Sequence, residues 1–418
     1  MKSKHLFFVA IAVLTSACCR TNDKIHCHIE GTVPDSTYTT ILLAPSGSDW
    51  RVADCDTIPV SDGKFTFDLY VDKVMPYELV SMKEINQGSW YSCNFFAEEG
   101  TVNVTFYHYG DDRKPDMICD SPANKRLLQF ETVSDGMKDP LYIEADSLER
   151  NGLWYSPRMA ELEVLINSTD DEEVKTELRK EANALYESGK AFTPEYFAFQ
   201  EKSKKVKAEH DRYVEEYIRS DRTIVGLYLL RRMAMRSRNA SKDSLFITLF
   251  NDVYQPIFPN HPLSESIEIW IEGRGIKVGN RFIDFTAPAL DGTLHTLSKE
   301  IDGKITLIDL WASWCGSCRR DSKSMIPLYE SYKDKGFTIV GIAREKKREH
   351  MEHALAKDGY PWLNLLEIND ANRIWEKYGV GNAGGIMVLV DRDGTILAVH
   401  PTSEDVERIV MEKLGHQE

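Results

Sequence analysis

Two cysteines separated by two residues, Cys315 and Cys318, are the side chains of this sequence best suited to covalent chemistry. They close the apolar run Ile305-Thr-Leu-Ile-Asp-Leu-Trp311, which is too short and too rich in branched residues for a helix of its own. Gly316 and the polar Arg319-Arg320-Asp321 then mark a strand handing over to a helix. Cys315 is thereby expected at a helix N-terminus, where unpaired N–H groups and the macrodipole favour a thiolate. The spacing allows a redox-active disulfide. Cys315, at the exposed tip, is the expected nucleophile toward a partner's disulfide, and Cys318, one turn inward, the thiol that resolves the mixed disulfide.

Asp309 lies six residues before Cys315 in the middle of the same run. A carboxylate buried there has its pKa pushed up, which suits a base that takes the proton from Cys318. Asp321 follows Cys318 by three residues on the same helical face and is a second proton carrier, or a solvated helix position. Trp314 is placed to cover the sulfurs, and Arg319 or Arg320 to stabilise a thiolate from a distance. Other uses of the pair fit less well. Haem attachment needs His where Arg319 stands, and a structural zinc site needs a second Cys-x-x-Cys, which the chain lacks. So tight a disulfide loop contributes little as a structural staple. His350 and His353 sit in a charged stretch that reads as a solvated face. No cofactor is expected.

The 418 residues exceed the usual single core, and the expectation is a multidomain chain. A net charge of −15 argues against nucleic acid or anionic lipid as a partner. Lys2 and Lys4 precede an apolar run, Leu6 to Leu14, and small residues before Cys18, so residues 1–17 read as a secretory signal. From Ile25 to Cys119 short β-type runs alternate with turn residues, and Ser61-Asp62-Gly63 and Glu98-Glu99-Gly100 look like hairpin turns. An all-β, sandwich-like domain is expected over 24–120. His26 and His28 flank Cys27 and are able to bind metal, although alternate strand positions favour an exposed edge. Cys27, Cys55, Cys93 and Cys119 could form two disulfides by any of three connectivities, or remain buried thiols. Apolar residues at spacings of three and four predict a helical region over 121–275, with Thr193-Pro194 as a helix start. Beyond Gly273, β and α stretches alternate to the end. They include a helix at Asp370 to Tyr378, a turn at Asp391-Arg-Asp-Gly394, and a last helix capped by Gly415. An α/β domain with a central sheet is expected over 276–418.

These stretches carry a resemblance. Trp311-Ala-Ser-Trp-Cys-Gly-Ser-Cys318, with Asp284-Phe-Thr-Ala-Pro-Ala-Leu-Asp-Gly-Thr293, Tyr378-Gly-Val380 and Val390-Asp-Arg-Asp-Gly394, resembles the TlpA/ResA branch of the thioredoxin-like family in order and spacing. Asp56 to Phe65 and Phe95 to Gly100 are similar to a β domain of unknown function that precedes such thioredoxins in bacterial lipoproteins. The leader with Cys18 resembles a lipobox, in which that cysteine is lipidated. The resemblance implies a C-terminal thioredoxin fold with Asp309 as the family's buried aspartate and Asp321 as its second acid. It implies substrate docking along Trp314 and the loop Gly384-Gly385-Ile386. Two departures stand out. Ser317 replaces a proline common between the cysteines, and Gly385 stands where the family has a cis-proline. A trans glycine loop is expected, because a non-proline cis bond costs roughly 2.5–4 kcal/mol. The expected function is a membrane-anchored, periplasm-facing thiol–disulfide oxidoreductase, which exchanges with cysteine-containing exported proteins and an upstream redox partner. The alternative is a scaffold or binding lipoprotein whose thioredoxin fold no longer turns over.

Overall fold

The computed structural model describes residues 24–88, 91–108, 113–237, 240–382 and 384–415. The expected leader and Cys18 lie outside them.

The front of the chain contributes Ile25–Thr32 (β1), Thr40–Pro45 (β2), Asp56–Pro59 (β3), Lys64–Val71 (β4), Met75–Ser81 (β5), Met82–Asn86 (α1), Cys93–Ala97 (β6), Gly100–Thr105 (β7) and Asp116–Ile118 (β8). These strands form two four-stranded sheets, β4-β1-β7-β8 and β3-β2-β5-β6. Alternate residues such as Ile29, Phe65, Ile41 and Phe95 meet in one core between them. Both anticipated turns form, but neither closes a hairpin within a sheet. At the first, Ser61 and Lys64 exchange two backbone hydrogen bonds of 2.9 Å, and Asp62 and Gly63 adopt φ of 51° and 72°. The strands it joins, β3 and β4, belong to different sheets, as do β6 and β7 at the second. Turn residues encode the reversal, whereas the buried faces decide which sheet each strand enters.

One further expectation is corrected here, and one alternative left open is decided. Strand β1 is not an edge, because β4 and β7 flank it, so His26 and His28 project outward from the interior of a sheet. Cys27, Cys55, Cys93 and Cys119 are all free thiols. Cys27 and Cys93 fill the core as small hydrophobes, and burial pushes the Cys27 thiol up to about 12.

The middle of the chain is helical: Pro122–Arg150 (α2), Pro157–Ser168 (α3), Glu172–Glu187 (α4), Pro194–Ser220 (α5), Ile224–Arg236 (α6), Asp243–Leu249 (α7) and Pro262–Gly273 (α8). Thr193 caps α5 by accepting from the Tyr196 N–H at 3.1 Å, with Pro194 in the first turn. Helix α2 closes the open edge of β6. Asn124 accepts from the Phe96 N–H and donates to the Phe96 carbonyl, both at 2.7 Å, while Glu98 accepts from the N–H groups of Ala123 and Asn124.

The rest comprises Thr286–Pro288 (β9), Leu294–Thr296 (β10), Leu297–Glu300 (α9), Ile305–Trp311 (β11), Gly316–Ser324 (α10), Ile326–Tyr332 (α11), Phe337–Glu345 (β12), Arg348–Asp358 (α12), Leu363–Ile368 (β13), Ile374–Lys377 (α13), Met387–Val390 (β14), Ile396–Val399 (β15) and Ser403–Leu414 (α14). Five strands form one sheet in the order β13-β12-β11-β14-β15, with β11 at its centre. The helix expected from Asp370 shrinks to one turn. Asn369, Asp370 and Arg373 have φ above 50°, and the buried Glu367 carboxylate accepts from the Asn372 and Ile374 N–H groups in place of helical carbonyls.

A polar chain ties the first domain to the last. Asp370 pairs with the buried Arg344, Arg344 reaches Asp49 of the β2–β3 loop at 3.2 Å, and Asp49 holds Arg51 at 2.7 Å. Asn369 donates to Asp54 at 2.8 Å, and Lys346 to the Ala53 carbonyl at 3.1 Å. Removing one member of a buried pair strands the other charge. Asp49→Ala is therefore expected to cost about 3 kcal/mol in urea unfolding, the low end for such pairs because Asp370 remains, and to speed proteolysis within 46–55. Unchanged stability and cleavage would show that the loop is not held this way.

Candidate active site

Strand β11 is buried along its whole length and delivers the chain to a turn that ends in Cys315. Cys315 is the N-cap of α10, and its sulfur accepts from the Cys318 N–H at 3.3 Å. That is the helix-end position the spacing predicts. Cys315 and Cys318 are joined by a disulfide, with Cα atoms 5.3 Å apart. The expected difference in exposure does not hold: 5% of Cys315 and 7% of Cys318 are accessible. The cause is the loop before β14. A Cβ on Gly384 would lie 3.3 Å from the Cys315 sulfur and 3.7 Å from that of Cys318. The Gly385 N–H donates to the Cys318 sulfur at 3.1 Å.

Gly385 has no room for a side chain. A Cβ there would sit 1.6 Å from the Leu310 carbonyl oxygen. The next residue, buried Ile386, accepts from the Leu310 N–H at 2.9 Å. No described residue has a cis peptide bond, as the glycine at this position predicts. The loop thus meets the cysteines with bare backbone.

Asp309 is buried on β11, and burial raises its carboxyl to about 7. Its partner is Ser322, a residue the sequence did not single out. The Ser322 hydroxyl donates to Asp309 Oδ2 at 2.6 Å and also lies 2.9 Å from the Cys318 carbonyl oxygen. One hydroxyl proton cannot serve both acceptors. When Asp309 is ionised, Ser322 donates to it; when Asp309 is protonated, its own O–H can donate to Ser322, freeing that hydroxyl for the Cys318 carbonyl. Ser322 follows Cys318 by four residues, one helical turn, and this spacing was the available signal. Asp321 is exposed, and its charge adds a smaller upward push on Asp309. Arg319 is committed elsewhere, to Asp358 at 2.6 Å and the Ser313 carbonyl at 3.3 Å.

Trp314 lies between two residues that no local pattern marked. The Arg51 guanidinium is 3.7 Å above its ring, and Trp375 packs 5.9 Å away. Arg51 also donates to the Asn382 carbonyl at 2.6 Å, and Asn382 donates back to the Gly47 carbonyl at 3.2 Å. One loop of the β domain therefore grips both the tryptophan before the cysteines and the segment leading to Gly384. Glu345, fully buried at the end of β12, accepts from the Ser313 N–H at 2.5 Å and its hydroxyl at 2.8 Å, fixing the turn ahead of Cys315. Burial raises its carboxyl as well.

Comparison with known proteins follows the same division. The Redoxin family matches residues 277–413, and a domain of unknown function (DUF4369) matches residues 27–112. The chain is 24% identical over 179 residues to the thiol-disulfide oxidoreductase ResA of Geobacillus kaustophilus, spanning 42% of this chain and 96% of the relative. It is 31% identical over 127 residues to the thioredoxin-like protein YneN of Bacillus subtilis, spanning 30% and 72%. It is 34% identical over 122 residues to the thiol:disulfide interchange protein HelX of Rhodobacter capsulatus, spanning 29% and 62%.

Two outcomes test this geometry. Below its ordinary value of 3.8 Asp309 is neutral folded or unfolded; from there to about 7 the unfolded chain ionises while the folded one keeps its proton. Stability is lost across that window and stays lower above it. The stability gain of Asp309→Asn over wild type should therefore grow from pH 4 to 7 toward about 4 kcal/mol and then level off. A gain independent of pH in denaturation curves would mean the carboxyl is not raised. Gly385→Ala should lower stability by about 1–3 kcal/mol, the usual cost of overpacking, in thermal unfolding. An unchanged midpoint would contradict the contact with Leu310.

Proposed function

The chain belongs to the TlpA/ResA-like thiol–disulfide oxidoreductases of the thioredoxin family, and on that premise we propose that it exchanges the Cys315–Cys318 pair with cysteines of exported proteins in the cell envelope. One observation carries the reading. The disulfide sits at a helix N-terminus, and the Ser322 hydroxyl lies between the backbone carbonyl of Cys318 and a buried carboxyl that burial raises to about 7.

In the reduced protein Cys315 is the thiolate, favoured by the N-terminus of α10. It attacks one sulfur of a partner disulfide, forming a mixed disulfide and releasing a partner thiolate. Cys318 then loses its proton toward Asp309 and attacks the Cys315 sulfur. The second partner thiolate leaves, and the Cys315–Cys318 disulfide remains. Two electrons have passed to the partner, and an upstream dithiol returns them by the reverse steps. The same residues run the exchange in either direction, set by relative reduction potential. The Gly385 N–H, 3.1 Å from the Cys318 sulfur, stabilises negative charge there. Trp314 and the backbone of Gly384, Gly385 and Ile386 form the docking strip, and Asp321 supplies a solvent-side carboxylate.

The leader, with Lys2 and Lys4 ahead of Leu6 to Leu14, supports export, and Cys18 is our choice for the lipidated anchor. A second reading, a binding lipoprotein, is favoured by the burial of both sulfurs beneath the Gly384 loop.

Cys315→Ser should abolish turnover of a protein disulfide, and Cys318→Ser should accumulate mixed disulfides on non-reducing gels. Absence of wild-type turnover at every redox poise, with partner complexes that survive loss of both cysteines, would instead establish the binding role. Cys18→Ser should remove metabolic labelling by palmitate; retained label would exclude this residue as the acceptor.

A further inference from the structure

The outer face of the β domain carries a cluster that thiol exchange does not use. His26 and His28 sit two apart on β1, and Asp68 lies opposite His28 on β4. Period-two geometry puts all three on one face, turned away from the core that Cys27 enters. His26 Nε2 and His28 Nδ1 each lie 2.8 Å from the same oxygen, Asp68 Oδ1. The three donor atoms lie within 4.8 Å of one another, and no other group of three His, Cys, Asp or Glu converges this way among the described residues.

We propose that His26, His28 and Asp68 form a binding site for a divalent late first-row metal ion, typified by Zn2+. Two imidazoles and one carboxylate are a borderline donor set that suits Zn2+ and Cu2+ and disfavours Mg2+ and Ca2+, which want oxygen. Zn–N and Zn–O bonds of about 2.1 Å place tetrahedral ligands about 3.4 Å apart. The 2.8 Å contacts must open by about 0.6 Å to reach that spacing. A ring that ligates through the nitrogen now facing Asp68 must present a lone pair there and carry any N–H on its other nitrogen. The frame is rigid. β1 pairs with β4 along its eight residues and with β7 along six, so the register of His28 against Asp68 is fixed from both sides. The His26 ring stacks on Tyr70 at 4.8 Å, and its backbone N–H is held by Glu99 at 3.0 Å. The side chains of His26 and His28 are 40% and 34% exposed, which leaves an entry path and a position for water or a further ligand.

The test is calorimetric titration of the full chain, kept in its Cys315–Cys318 disulfide form, with Zn2+ and with Mg2+ as the control. One equivalent of Zn2+ should bind and Mg2+ should not. Asp68→Asn, or His26→Gln with His28→Gln, should weaken Zn2+ at least tenfold, the lower bound for losing a supporting group of a metal site. Circular dichroism establishes that each variant is folded, and Asp68→Asn carries the test alone if the double variant is not. Co2+ provides a second readout: d–d bands lost in the variants, without the charge-transfer band of thiolate ligation. Zn2+ binding unchanged in the variants, a thiolate band, or no binding by wild type would each overturn the assignment.

Discussion

The closeness of the Gly385 backbone to the Leu310 carbonyl oxygen governs the architecture around the cysteines. No side chain fits between them, since a Cβ would lie 1.6 Å from that oxygen. Because the backbone comes so near, Ile386 can begin pairing with the C-terminal end of β11, and the Gly385 N–H can reach the Cys318 sulfur. The same approach lays Gly384 over both sulfurs and buries them. The position is thus filled by the one residue that lacks a Cβ and lets the backbone lie flat on the strand.

Charge is handled around this point by pairing rather than exposure. Arg344 is buried between Asp370 and Asp49, Glu345 holds the turn before Cys315, and Glu367 caps α13. Each would be expensive alone; Arg344 and Glu345 are satisfied by fixed partners, whereas one buried oxygen of Glu367 has none. Asp309 has a single serine hydroxyl as its partner, and burial raises it to about 7 as it does Glu367. A carboxyl left short of donors keeps its proton to a higher pH.

The polar chain from Asp370 through Arg344, Asp49 and Arg51 to Trp314 makes the β domain part of the active-site wall. Its central link joins residues far apart in sequence, Asp49 and Arg344 being separated by 295 positions. Gly273 extends the contact from the helical side, where a Cβ would meet the Glu376 carbonyl oxygen at 2.7 Å. The two front regions therefore position the redox site as well as precede it.

The sequence by itself determined the local features: the strand ending at Trp311, Cys315 at a helix start, the buried Asp309, the Thr193 cap, and the three-part order of β, helical and α/β regions. Each follows from periodicity, capping or turn chemistry within a few residues. The front strands were legible as short alternating runs for that reason, whereas β8, only three residues with no buried position, carries no alternation to detect. Tertiary structure decided which sheet each strand joined, that the four front cysteines stay unpaired, that Cys315 is as buried as Cys318, and that Ser322 rather than Asp321 touches Asp309. It also decided the convergence of His26, His28 and Asp68 and the arrival of Arg51 over Trp314. Those outcomes depend on contacts between residues distant in the chain, where burial and the pairing of charges, rather than local preference, set the energy.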